Sequence, residues 1–152
     1  LIFHLNILYL VSKELVVDVL NPIGIVNFGN KYMNCPFCKI ETPLLENNLS
    51  FVIYDKFPVS NGHCLIIPKR HHKNYFNSTK EENDSYFDLI KKTKQLLDDL
   101  YSPDGYNIGI NTEECSGQTV FHTHIHIIPR YKGDIDNPRG GVRGVIPNKK
   151  DY

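Results

Sequence analysis

The pattern of apolar and polar positions changes character several times along the chain. Residues 49–54 and 63–68 are short runs rich in Ile, Leu, Val and aromatic side chains. Between them, residues 55–62 hold Asp, Lys, Pro, Ser, Asn and Gly, so the pattern predicts two strands joined by a loop. The second run stays apolar from Cys64 to Pro68, which predicts burial on both faces. From Ser78 the period lengthens. Tyr86, Ile90, Leu97 and Tyr101 recur at helical spacing, and Leu89, Leu96 and Leu100 widen the stripe. Ser78 and Glu81 have the capping-box spacing that satisfies orphan amides at a helix start. Ser102-Pro103-Asp104-Gly105 is a turn signal that ends the helix. Residues 106–111 then predict a third strand, 112–117 a polar loop and 120–129 a fourth strand. The short links between strands favour an antiparallel sheet with the helix packed on one face, an α+β arrangement.

The flanks differ from this regular centre. Residues 1–31 mix β-branched and apolar residues, and residues 132–152 are rich in Gly, Pro, Arg and Lys, as in a loop or extended tail. A chain of 152 residues fits one domain with a real core. Hydrophobic residues at 41% and charged residues at 22% exclude a wholly disordered chain. Seventeen basic residues balance 17 acidic ones, so no basic excess points to non-specific nucleic-acid binding. A local basic pocket for a small anion stays open. Four cysteines are too few for a disulfide scaffold, and a reducing, cytoplasmic setting is expected. No apolar run approaches the ~18 residues of a membrane span. The apolar start carries His4 and Asn6 with no basic region before it, which argues against a signal peptide.

Three of the seven histidines fall at His122, His124 and His126. In a strand these alternate positions share one face, while Thr123, Ile125 and Ile127 take the other, towards a core. Imidazoles gain nothing by packing together, since each has two nitrogens to satisfy. Three readings follow: a solvated edge strand, a three-histidine metal site, or reactive imidazole chemistry on phosphate. The preceding Gly117-Gln118-Thr119 favours the last. Glycine lets backbone approach an anion, Gln118 and Thr119 offer uncharged donors, and Asn111 closes the strand before them.

The run from His122 to Ile128, preceded by Gly117-Gln118-Thr119, resembles the signature of the histidine triad (HIT) family of nucleotide hydrolases and transferases. The family pattern is His-apolar-His-apolar-His-apolar-apolar, and Thr123 departs from it at the first apolar position, a departure expected to be harmless because that position faces away from the chemistry. Upstream, Cys35-Pro36-Phe37-Cys38-Lys39-Ile40 resembles the amino-terminal motif of the zinc-binding branch, which includes diadenosine tetraphosphate hydrolases. Asp55 and the run from Gly62 to His71 resemble the family's nucleoside-side strand pair. The resemblance implies a HIT-like α+β fold, with about five antiparallel strands, a long helix and assembly as a homodimer. It makes His124 the nucleophile at the α-phosphorus of a nucleotide. His126 and the amides of Gly117, Gln118 and Thr119 would hold phosphate oxygens, Asn111 the phosphate or leaving group, and Asp55 the ribose, with His63 beside it. A structural zinc would sit on Cys35, Cys38, His71 and His122, with the adjacent His72 as a substitute for His71. Cys64 and Cys115 are expected to be a buried apolar side chain and a loop thiol.

The physical chemistry agrees with those roles. A neutral imidazole is a good nucleophile at phosphorus and splits one hard displacement into two. Each oriented donor on the developing charge is worth ~3–4 kcal/mol in comparable oxyanion sites. The implied activity is hydrolysis at the α-phosphorus that releases a nucleoside monophosphate, with dinucleoside polyphosphates as leading substrates. Nucleoside phosphoramidates and nucleotidyl transfer are alternatives, and a zinc-stabilised nucleotide-binding module without turnover is a different class. Neither nucleic acid nor membrane is expected as a partner. Met33 is the sole methionine, two residues before Cys35. Residues 1–32 are therefore expected to be a lead-in outside the functional domain, residues 33–131 the HIT domain, and 132–152 a tail. In that tail Arg139 and Arg143 flank a glycine pair and either reach a second phosphate or are solvated.

Overall fold

A computed structural model describes residues 34–152. The expectation that residues 1–32 are a lead-in falls outside those residues. Five antiparallel strands form one sheet: β1 (Leu45–Glu46), β2 (Ser50–Tyr54), β3 (Cys64–Pro68), β4 (Gly105–Gly109) and β5 (Ile125–Arg130). Their spatial order is β1-β2-β3-β5-β4, and the one α-helix among the described residues, α1 (Lys80–Tyr101), connects β3 to β4. The α+β class and the antiparallel sheet with a helix on one face are therefore as the pattern predicts.

Strand alternation sorts the sheet into two faces. Val52, Cys64, Ile66, Ile125 and Ile127 pack beneath Tyr86, Leu89 and Leu97 of α1. Phe51, Leu65 and Ile67 point to the other face, where Phe37 and Ile53 cover them. β3 is buried along its whole length, because it lies inside the sheet with cover on both faces. Cys64 is part of the core, and Cys115 is exposed.

Three details depart from the sequence expectation. The helix cap lies one residue later: the Thr79 hydroxyl accepts from the Glu82 amide at 3.2 Å, and Glu82 accepts from the Thr79 amide at 2.8 Å. Both Ser78 and Thr79 are followed three residues on by Glu, so spacing alone cannot choose between them. The choice is tertiary, because Arg70 holds Glu82 with two hydrogen bonds at 2.7 and 2.8 Å. The buried stripe of α1 also runs through polar Glu82, Ser85 and Thr93 rather than through Leu100, which is exposed. Finally, β5 begins at Ile125 and not at residue 120. Residues 120–124 leave the ladder, with the His122 amide turning back to Val120 O (2.8 Å) and the Thr123 amide to His72 O (2.7 Å).

Loop 55–62 reaches the open face through a tight turn. Gly62 has φ +80°, and a Cβ there would lie 3.0 Å from the Tyr101 ring. That close approach seats the loop on the end of α1 and sets Asp55 and His63 beside β5.

Candidate active site and metal cluster

The triad histidines do not reach the site by simple alternation, since only His126 belongs to β5. His126 lies opposite Leu65 of β3 and Gly109 of β4. His124 reaches it from the preceding turn, with ring centroids 5.1 Å apart. Phe37, from the 3-10 turn Pro36–Lys39, places its ring against both His124 (5.3 Å) and His122 (6.0 Å). Its contacts are long-range, and no local pattern announces them.

Hydrogen bonds fix the tautomers. His124 Nδ1 is 2.8 Å from the His122 carbonyl oxygen, which only accepts, so Nδ1 carries the proton and Nε2 holds the lone pair. The Val59 amide donates to His63 Nδ1 at 3.3 Å, so His63 donates from Nε2 to His126 Nδ1 at 3.0 Å. The His126 proton is then on Nε2, and that atom is buried without a partner among the described residues. Burial, helped by the neighbouring His124 and His63, lowers the His126 pKa to about 4, so this donor is neutral at physiological pH. Burial also lowers the pKa of His63, opposed by Asp55, whose Oδ2 is 3.5 Å from His63 Nδ1. Asp55 Oδ1 accepts from the Phe57 amide at 2.9 Å, which holds the carboxylate at the rim.

His63, Asn111 and His126 line one cleft of about 440 Å³, together with Val59, Ile108 and Val142. Gly109 opens this cleft, because a Cβ there would meet nothing within 4 Å.

The Gly117–Thr119 loop departs from the expectation that it lends all its donors to an anion. Gln118 is buried, and its Nε2 already donates to Lys73 O (2.8 Å) and Val120 O (3.2 Å). Its Oε1 accepts from the Glu113 amide at 2.8 Å. Gln118 therefore acts as a staple of the loop and not as a free side-chain donor. The staple holds Glu113 at φ +68°, a backbone conformation that costs ~1–3 kcal/mol and persists only when its surroundings enforce it. The Gly117 and Gln118 amides make turn bonds to Glu114 O and Glu113 O, while Thr119 is exposed. The tail arginines are also engaged. Arg139 and Arg143 stack on the Tyr152 ring at 4.9 and 5.2 Å, and Arg143 donates to Lys149 O and Lys150 O.

A second cluster lies beside the triad. Cys35, Cys38, His71 and His122 bring their ligand atoms within 4.8 Å of one another. The S···N separations are 3.4 Å for Cys35–His122, 3.6 Å for Cys38–His122 and 3.3 Å for Cys38–His71. A tetrahedral zinc with bonds of ~2.3 Å to sulfur and ~2.0–2.1 Å to nitrogen sets that edge at ~3.6 Å, so the donor set fits such an ion in type and in size. His122 donates from Nε2 to Pro68 O at 2.9 Å, which leaves the Nδ1 lone pair facing the sulfurs. Burial lowers the His122 pKa to about 4, keeping it in the neutral, ligating form. Desolvation and the neighbouring Cys35 push the Cys38 thiol up to about 11, a cost that a divalent cation would reverse. His72 does not point to this cluster. It is buried on the helix side of the loop, 3.0 Å from Thr123 Oγ1 and 3.4 Å from Tyr86 Oη.

Comparison with known proteins agrees with this geometry. Residues 40–133 match the HIT domain. Protein hit of Bacillus subtilis is 40% identical over 108 residues, covering 66% of this chain and 74% of that protein. The asymmetrical bis(5'-nucleosyl)-tetraphosphatase of Schizosaccharomyces pombe is 37% identical over 90 residues, 59% of this chain and 50% of its own length. A zinc-bound histidine triad family protein of Mycobacterium smegmatis superposes with a TM-score of 0.61 at 32% identity, over 67% of this chain and 78% of that one.

Proposed function

The chain belongs to the HIT family, and on that premise we propose that it is a nucleotidyl hydrolase that cleaves at the α-phosphorus through a covalent adduct on His124. One observation carries the proposal: His124 is held as the Nδ1–H tautomer with Nε2 as its lone pair, next to a buried His126 Nε2–H that lacks a partner among the described residues. The pair is a nucleophile beside an oxyanion donor.

His124 Nε2 attacks the α-phosphorus, and the bond to the leaving group breaks on the opposite side. His126 Nε2–H donates to a non-bridging oxygen, and its burial in a low dielectric strengthens that bond. Asn111 and the exposed Thr119 add donors around the same phosphate, and the Gly117–Gln118 turn holds Thr119 in place. Asp55 receives the ribose hydroxyls, oriented by the Phe57 amide, while His63 donates to His126 beside it. Water then attacks the nucleotidyl-imidazole; its oxygen bonds to phosphorus as the phosphorus–Nε2 bond breaks, releasing a nucleoside monophosphate, a proton to solvent and free His124. Cys35, Cys38, His71 and His122 would hold a structural zinc, which contributes folding free energy and no reacting group. Dinucleoside polyphosphates are the first substrates to try, supported by the tetraphosphatase relative, and nucleoside phosphoramidates the second. A cytoplasmic homodimer is part of the same proposal.

The test is a panel of dinucleoside polyphosphates, phosphoramidates and mononucleotides, run with wild type and His124→Ala. Quenched wild-type reactions should contain a nucleotidylated His124, detectable by mass spectrometry. The stereochemistry at a chiral α-phosphorus should be retained after two displacements. Inversion would show direct attack by water and overturn the covalent route.

A further inference from the structure

Thr123 stands where the family pattern carries an apolar residue, and its partner lies across the loop. We propose that Thr123 and His72 form a lock that positions the nucleophile. This rests on the reading of His124 as that nucleophile.

Both residues are buried, Thr123 at 1% and His72 at 7% exposure. The Thr123 amide donates to His72 O at 2.7 Å, and the Thr123 hydroxyl oxygen is 3.0 Å from His72 Nδ1. Asn74 O, 3.1 Å from the same nitrogen, can only accept, so Nδ1 bears the proton and is directed at both oxygens. His72 Nε2 then accepts from the Tyr86 hydroxyl at 3.4 Å, and that hydroxyl pairs with Ser78 at 3.1 Å. With both ring nitrogens committed, the imidazole has one orientation. It presents one fixed donor to Thr123.

The consequence falls on the peptide between His122 and Thr123. On one side the His122 ring is held in the Cys/His cluster and by Pro68 O. On the other, the Thr123 side chain is held by His72. The carbonyl of that same peptide, His122 O, takes the His124 Nδ1 proton at 2.8 Å. Two anchors on opposite sides thus fix the direction of the acceptor that selects the His124 tautomer. An apolar residue at 123 would keep the backbone bond but lose the side-chain anchor. An apolar pair at 72 and 123 would fill the space with no unsatisfied group, so satisfaction of buried groups does not by itself require a polar pair here.

Thr123→Val, Thr123→Ser and the double variant Thr123→Val with His72→Ile test the lock. Thr123→Val should lower kcat about tenfold, with KM changed less than twofold, because a misplaced nucleophile loses rate rather than binding. Thr123→Ser keeps the hydroxyl and should retain kcat. In the double variant kcat should be no lower than in Thr123→Val, since the shared interaction is already lost there. Long-range ¹H–¹⁵N spectra of the His124 ring provide a readout that packing alone would not move. Wild type and Thr123→Ser should show Nδ1–H alone, and Thr123→Val a mixture of tautomers. A pure Nδ1–H tautomer in Thr123→Val would overturn the proposal, whatever happens to thermal stability. If wild type turned over no nucleotide, the hydrolase reading would fail separately, while the spectra would still decide the lock.

Discussion

Removing metal should open the amino-terminal turn and leave the rest of the domain folded. The 3-10 turn Pro36–Lys39 contains no buried residue. Its one apolar anchor is Phe37, half-buried against Phe51, Leu65 and Ile67. Half of a full phenylalanine burial is worth about 1 kcal/mol, less than the ~1–2 kcal/mol per residue that ordering the backbone costs. Cys35 and Cys38 must supply the remaining hold. A metal present at about a thousandfold its Kd adds about 4 kcal/mol to the closed state, which is about a thousandfold in the ratio of closed to open. Proteolysis tracks that ratio when opening is fast. Trypsin cleavage after the exposed Lys39 should therefore accelerate by up to about a thousandfold on chelation, and should be fast in Cys38→Ser with or without metal. The thermal transition should fall by only a few degrees, because the helix-side core contains no residue of this turn. Mass spectrometry of timed digests identifies the site. Equal cleavage at Lys39 with and without chelator would refute the reasoning, as would full protection in Cys38→Ser.

Other substitutions address the site and its supports. His124→Ala should abolish turnover while nucleotide affinity, measured by calorimetry, changes little; His126→Ala should lower kcat less, by about 10²–10³, having removed one oxyanion donor. The folded pKa of His126, about 4, is below its unfolded value near 6.5, so its neutral form is favoured by folding. That contribution is complete above pH 6.5 and is lost as pH falls towards 4. With the ring about a fifth exposed at 21%, the loss should be about 1–2 kcal/mol after solvent screening; urea titrations of wild type and His126→Gln between pH 4 and 7 should diverge by that amount, and parallel curves would exclude it. Gly109→Val should fill the cleft beside His126 and raise KM with little change in thermal stability, because its Cβ meets open space.

The sequence exposes chemistry that repeats over short intervals and conceals what depends on partners far away. The H-x-H-x-H run, the C-x-x-C pair and the strand-strand-helix-strand-strand order all stand in contiguous residues, and the sheet and helix follow them. The fifth strand, β1, is two residues long and too brief to leave a periodic trace. His72 reads as interchangeable with His71 because adjacent residues differ only in which way they point, and His72 points to Thr123, 51 residues on. The late start of β5 has the same origin. Its first residues have strand-like alternation, yet their amides bond to Val120 and His72. Gln118 reads as a donor for an anion until Lys73 and Val120 are seen to occupy both its hydrogens.

The strand order carries a further consequence for how the domain comes into being. β3 and β4 run parallel to each other with α1 between them in sequence, and the gap between them is filled by β5. β5, the last of these five strands in sequence, is thus an interior one. Until it inserts, Ile125 and Ile127 are missing from the core and β3 exposes an unpaired edge, so completion of the sheet requires β5. The histidines travel on or just ahead of that strand. The core and the candidate site therefore share one strand: a chain lacking β5 would lose His126 together with the apolar contacts of Ile125 and Ile127.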